Sequence, residues 1–166
     1  MNKNLILALG AILSLVLLSD ARAKTIKIPE DSPVVSVSIP SDWEPDTTDE
    51  GVECESPDKE ATIFFEVTTA KKIDELTKEN IDWLKKQKVT VDQKTEKSNE
   101  FEAGGMKWSS VAWKGTSEEW GPANIILAYA DCGSGKVLMV TYWVTEKGEA
   151  KHGKQLTEIL DSVKKL

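Results

Sequence analysis

The spacing of apolar and polar positions changes several times along the chain, and each change marks an element. Val35, Val37 and Ile39 alternate with Ser36 and Ser38, the period of a half-buried strand, and Pro40-Ser41-Asp42 ends it before Trp43. A short strand is predicted around Val52 and Cys54, then a turn at Ser56-Pro57-Asp58. Ala61 to Thr68 reads as a strand from Ile63, Phe64, Phe65 and Val67. From Lys72 to Lys86 the period becomes helical, with Ile73, Leu76, Ile81, Trp83 and Leu84 on one stripe. Asn80 falls inside that stripe and is read as a side chain bonded to nearby backbone. Val89 to Val91 starts another strand, Lys94 to Ala103 is a polar hairpin or edge strand, and Gly104-Gly105 is a turn.

Three further strands are predicted at Met106 to Gly115, Asn124 to Asp131 and Lys136 to Thr145, the last two joined by the turn Cys132-Gly133-Ser134-Gly135. Both alternating sets of the second strand (Ile125, Leu127, Tyr129; Ile126, Ala128, Ala130) are apolar, and the third behaves the same way. A strand with no polar face belongs in the middle of a sheet covered on both sides. Leu156, Ile159, Leu160 and Val163 give a closing helix, with Lys164 and Lys165 suited to its C-terminus and His152 on its apolar stripe in the first turn. The predicted class is α+β: a three-layer α/β/α sandwich with a mostly antiparallel sheet and one main helix on each face.

The N-terminal pattern is of a different kind. Lys3, an uncharged apolar run from Leu5 to Leu18 and the small residues of Ala21-Arg22-Ala23 make residues 1–23 a secretory signal, cleaved before Lys24. The run is too short to span a bilayer, which takes roughly 20 residues. The mature protein is then expected to be exported, periplasmic or secreted, and not membrane-spanning. Residues 24–33, with Pro29 and Pro33, read as an extended arm, and residues 34–166 as one domain.

Composition narrows the function classes. The 166 residues include 21 Lys plus Arg, 28 Asp plus Glu, one His, two Cys and six Trp, for a net charge of -7. Removing the signal leaves 19 lysines, no arginine and 27 carboxylates, a net charge of -8. Such a surface repels phosphate backbones, so no nucleic-acid partner is expected. Without arginine there is no planar fork for bidentate phosphate recognition. A single His and two Cys leave little for a nitrogen and sulfur metal site or a His-based triad. No catalytic residue and no cofactor are predicted.

Asp42, Glu44, Asp46, Thr48, Glu50 and Glu53 match the spacing of an EF-hand calcium loop, but Thr47 stands where that loop needs Gly, and Pro45 stiffens it. A solvated acidic loop is the better reading. Gly133-Ser134-Gly135-Lys136 lacks the first Gly and the Ser or Thr of a phosphate loop. His152 stands in no nucleophile motif. Cys54 and Cys132, an even pair in an exported chain, predict a disulfide; the alternative for Cys54 is a free thiol in the core. Trp83, Trp108, Trp113 and Trp143 fall at core positions, the middle two on opposite faces of their strand. Trp120, in Glu118-Glu119-Trp120-Gly121-Pro122, has no alternation around it and is the candidate interaction surface, against the alternative of a loop Trp that caps the sheet.

Taken together, Val35-Ser36-Val37-Ser38-Ile39-Pro40-Ser41-Asp42-Trp43, the Ser56-Pro57-Asp58 turn, the Ile73-Asp74-Glu75-Leu76 helix and the Leu156 to Val163 helix resemble the PsbP-like and DcrB-like superfamily. The resemblance spans nearly all of the mature chain. It implies an antiparallel sheet between helices, a structural role for Trp43, and action by binding, since members include exported bacterial proteins and photosynthetic accessory proteins. It supplies no catalytic residues. The expected function is a non-enzymatic binding or accessory protein of the bacterial envelope, with an envelope protein or a small ligand as partner. The alternatives are a small-ligand carrier that stacks its cargo on tryptophans, or a carboxylate-based hydrolase with a pocket between sheet and helix.

Overall fold

The computed structural model describes residues 23–48 and 51–166. The predicted secretory signal, residues 1–23, therefore lies outside the described residues, apart from Ala23. Strand β1 (Ala23–Ile28) is followed by β2 (Val35–Pro40), a 3₁₀ turn (Ser41–Trp43), β3 (Asp46–Thr47), β4 (Gly51–Glu55) and β5 (Ala61–Thr69). Helix α1 (Ile73–Lys86) leads into β6 (Val89–Ala103), β7 (Met106–Ser117), β8 (Gly121–Gly133), β9 (Lys136–Thr145), helix α2 (Glu146–Asp161) and β10 (Lys164–Lys165). The main sheet has the order β3-β4-β5-β9-β8-β7-β6, and a smaller one the order β1-β2-β10. Every pairing in both is antiparallel.

The class is α+β, as the patterning predicted, and the reason is visible in β8 and β9. Leu127, Met139, Ile125 and Trp143 point to one face and pack under Leu76 and Leu84 of α1. Ala128, Ala130, Leu138, Val140 and Val144 point to the other and pack with Leu156 and Ile159 of α2. The second cover is broader than one helix, because Ile26, Ile28, Val35, Val37 and Ile39 of β1 and β2 join it.

Two expectations change here. Residues 24–33 are not a free arm: Ala23 to Ile28 pairs along its whole length with β2, and Ile26 and Ile28 are buried, so this segment is part of the core. Lys164 and Lys165 do not end a helix but pair with Ser36 and Val35 as β10. The helix stops earlier because the Ser162 hydroxyl donates to the Ile159 carbonyl (2.6 Å) and accepts the Ser38 N–H (2.8 Å), pinning its end to β2. The polar segment from Lys94 does become an edge strand, bulged between Asp92 and Lys97. Charge and a bulge on that edge, and a two-residue strand on the other, discourage edge-to-edge pairing.

The β4–β5 turn holds α2 against the sheet. Asp58 accepts hydrogen bonds from Ser56 Oγ (2.8 Å), Lys151 Nζ (2.5 Å) and the Glu60 N–H (3.3 Å), and pairs with His152 Nε2 at 2.9 Å. His152 is therefore not a first-turn residue; the helix begins at Glu146, capped by Thr145, and the imidazole is buried edge-on to Trp43. Gly148 makes the approach possible, since a Cβ there would lie 2.5 Å from the Glu60 carbonyl oxygen. Partial burial would raise the Asp58 carboxyl, but the bonds from Lys151, Ser56, His152 and the Glu60 N–H override it and hold the group well below the carboxylate range.

A depressed carboxyl stabilises the fold at neutral pH and loses that contribution as pH falls from its ordinary 3.8 toward the depressed native value. Asp58→Asn is expected to lower stability at pH 7 by about 2 kcal/mol, by loss of charge-assisted bonds and exposure of an unpaired buried imidazole. Chemical denaturation should show that deficit narrowing below pH 4. A constant deficit would mean that the carboxylate charge contributes nothing.

Candidate functional site

On the α1 face the helix stops at Lys86, and past its last turn the sheet is covered by side chains alone. There a cavity of about 470 Å³ opens between β4, the β4–β5 turn, the last turn of α1, the β7–β8 turn and β9. Trp83, Trp120 and Trp143 line it, together with Glu53, Glu55, Lys59 and Glu119.

Each aromatic wall has a local cause. Trp83 lies on the half-buried flank of α1, and its ring is fixed by an edge contact with Phe64 of β5, centroids 4.7 Å apart. Trp143 projects from the middle of the sheet, paired with Thr62 and Ile125, and is 7% exposed; its Nε1–H has no acceptor. Trp120 is held at the rim by a tight turn in which Ser117 Oγ accepts the N–H groups of Glu119 (3.3 Å) and Trp120 (3.2 Å). At 39% exposed, it is one of two large hydrophobics open to solvent among the described residues.

The carboxylates come from strand alternation. Glu53 and Glu55 share a face of β4, opposite the one where Val52 and Cys54 are buried. Their neighbours in the sheet are Phe64 and Thr62, and Thr62 donates weakly to Glu55 (3.5 Å). Burial raises the Glu53 carboxyl above its ordinary 4.5, and the negative charges of Glu55, Asp46 and Glu66 push it the same way. Three carboxylates face the cavity against one ammonium, that of Lys59. The structure thus gathers like charge beside three indole rings. Asn80, beneath α1, departs from its expected local backbone bond: its amide donates to Glu66 (2.8 Å) and Thr141 (3.0 Å) on the sheet.

A second cavity, about 570 Å³, opens beside the β6 bulge and includes Lys97, Trp113, Asn124, Tyr142 and Glu149. Two of its polar side chains are paired, Asn124 donating to Glu149 and Trp113 Nε1 to Glu96. Burial pushes the Tyr142 hydroxyl up to about 12. Its lining carries charges of both signs and a single tryptophan, against three in the first cavity.

The other sequence candidates fare differently. The calcium-like register is not realised: Asp42 lies in a 3₁₀ turn, Glu44 at its left-handed end, and Asp46 opposite Glu53 in the β3–β4 pair. These residues, with Thr48, run along a hairpin instead of encircling a point, and Glu50 lies outside the described residues. Among the described residues no three His, Cys, Asp or Glu side chains come together as a metal group. The predicted disulfide is absent. Cys54 and Cys132 are both free and buried, and β4 stands three strand spacings from β8, a lateral gap of about 14 Å where a bridge needs Cα atoms within ~7 Å. Burial pushes the Cys54 thiol up to about 12.

Comparison of the whole architecture with solved structures gives a clear match. The solution structure of cyanobacterial PsbP (CyanoP) from Synechocystis sp. PCC 6803 superposes with a TM-score of 0.58 at 8% identity, covering 95% of this chain and all of that one. The fold is PsbP-like. No protein-family model and no curated protein sequence matches the chain. At such low identity the PsbP likeness speaks to the fold alone, and the tryptophan cavity is argued from this chain's own residues. No helix among the described residues is long and apolar enough to cross a membrane.

Of the cavity residues, the sequence singled out Trp120 and, for another reason, Glu53. Trp83 and Trp143 read as core; Trp143 is buried, Trp83 is half-buried against that core, and both line the cavity. The i, i+2 spacing of Glu53 and Glu55 was the available signal for a shared carboxylate face. What it lacked was the pairing of β4 with β5 and of β5 with β9, which brings that face to Trp143.

A carboxyl raised in the native state favours folding only while it is protonated, so its ionisation costs stability as pH rises through the raised value. Glu53→Gln is therefore expected to raise the Tm at pH 7, with the gain vanishing below pH 4.5; scanning calorimetry at the two pH values checks it. Both cysteines should resist iodoacetamide in the native, unreduced protein and both should react on unfolding. A mass showing two unlabelled thiols in the unfolded protein would reveal a bridge.

Proposed function

We propose that this chain is an exported, soluble, non-enzymatic binding protein of the bacterial envelope, and that the tryptophan cavity is its ligand site. The observation that carries this reading is the convergence of Trp83, Trp120 and Trp143 on one concave surface with polar groups at its wall. Small-ligand sites are concave and set aromatic walls beside placed polar groups that fix orientation. Trp120 stands at the rim, where an exposed ring held by a tight turn can close over a bound molecule. Export rests on the N-terminal signal pattern, and the PsbP-like fold is compatible with a binding role.

A second reading, a carboxylate-based hydrolase, draws on the three acids in the cavity and the raised Glu53. Glycoside hydrolysis by paired acids places them on either side of the scissile bond. Glu53 and Glu55 project side by side from one strand, on the same wall, so such a pair would have to join one of them to Glu119 of the β7–β8 turn.

Titration with a panel of small metabolites, followed by intrinsic tryptophan fluorescence, tests the reading. A ligand of the cavity should quench or shift the emission saturably. Trp120→Ala, which removes one wall but no core contact of a central strand, should weaken that ligand about tenfold, the order expected for losing a desolvated aromatic contact of ~1.5 kcal/mol. An unchanged affinity would remove Trp120 from the site. Release of product from the same ligand on incubation would favour the hydrolase.

A further inference from the structure

We infer that the tryptophan cavity takes a compact organic cation, of the alkylammonium class, and discriminates it from neutral and anionic molecules of the same shape. This deepens the binding reading above and rests on it. Two features of the cavity select for positive charge. The first is the aromatic walls: Trp83, Trp120 and Trp143 line it, and indole is the strongest of the aromatic side chains at attracting a cation. The second is net charge, with Glu53, Glu55 and Glu119 on the lining against Lys59.

The same features argue against a metal ion and against a neutral ligand. A hard divalent cation needs six to eight oxygens around a point, and no three-residue metal group exists among the described residues. An indole wall offers such an ion nothing, whereas it suits a poorly hydrated ammonium with alkyl groups. A neutral molecule would fill the aromatic space yet leave Glu53 and Glu55 side by side without a counter-charge. Glu53 is partly buried and lies among the like charges of Glu55, Asp46 and Glu66, so a bound cation relieves the site's own repulsion. Lys59, the single cation of the lining, is exposed on the β4–β5 turn.

Titration calorimetry of the full chain with choline, with its neutral isostere 3,3-dimethylbutan-1-ol, and with calcium chloride tests the inference. Saturable binding of choline, at least ~10-fold tighter than the isostere, with no calcium signal, is the expected result. Glu53→Gln and Glu55→Gln should each weaken choline several-fold while the protein stays folded, as circular dichroism and an undiminished Tm would show. Equal affinity for choline and the isostere overturns the cationic ligand but leaves the cavity as a binding site. Calcium binding of comparable strength overturns the preference for an organic cation. No saturable binding by choline or the isostere, together with no hit in the metabolite panel, overturns both the inference and the reading beneath it.

Discussion

Strand β9 buries Leu138, Met139, Val140 and Thr141 in succession, so neither of its faces can meet water, and the rest of the molecule is arranged to cover it. On one side α2 and the β1-β2-β10 sheet do so together. On the other side α1 is the only helix among the described residues. At 14 residues it is about 21 Å long, and it leaves the end of the sheet near Trp143 without a helical roof. Tryptophans fill that gap. The surplus of this residue in the composition thus has a physical origin: Trp83, Trp143 and Trp120 extend the cover beyond α1 and, in doing so, form the wall of the cavity.

The two sides of the sheet are tied together at the β4–β5 turn. Asp58 anchors α2 through His152 and Lys151, while Glu53 and Glu55, a few residues earlier on the strand leading into that turn, face the cavity on the opposite side. Carboxylates one turn apart therefore play opposite parts. Asp58 is satisfied by cations and N–H groups and stabilises the fold; Glu53 sits among like charges and costs stability. Stability surrendered at one place and recovered at another is the signature expected of a ligand site carried on a rigid scaffold.

How much of this could be read from residues alone depends on the range of each interaction. Local period was sufficient for β2, β5, α1 and the β7 to β9 strands, because each carries enough apolar residues to define a face. It was silent on β1, where prolines and lysines hide Ile26 and Ile28, and on β10, which is two lysines long. Pairings distant in sequence were out of reach. His152 meets Asp58 across 94 residues, and Cys54 is separated from Cys132 because β5 and β9 insert between their strands. Parity and compartment pointed to a bridge that sheet order forbids. The same long-range pairing hid the cavity, since Glu53, Trp83, Trp120 and Trp143 come from four elements.

In the proposed ligand site Trp83, Trp120 and Trp143 meet the ligand while the other tryptophans are structural, and the indole N–H resonances report on each separately. Trp43 and Trp108 are buried in the opposite layer, with the Trp108 indole donating to the Ala103 carbonyl at 3.1 Å. In a ¹⁵N-correlated NMR spectrum, saturating ligand is predicted to move the Trp83, Trp120 and Trp143 indole signals while leaving those of Trp43 and Trp108 in place. Shifts confined to Trp113 beside the second cavity, or spread evenly over all six, would contradict the account.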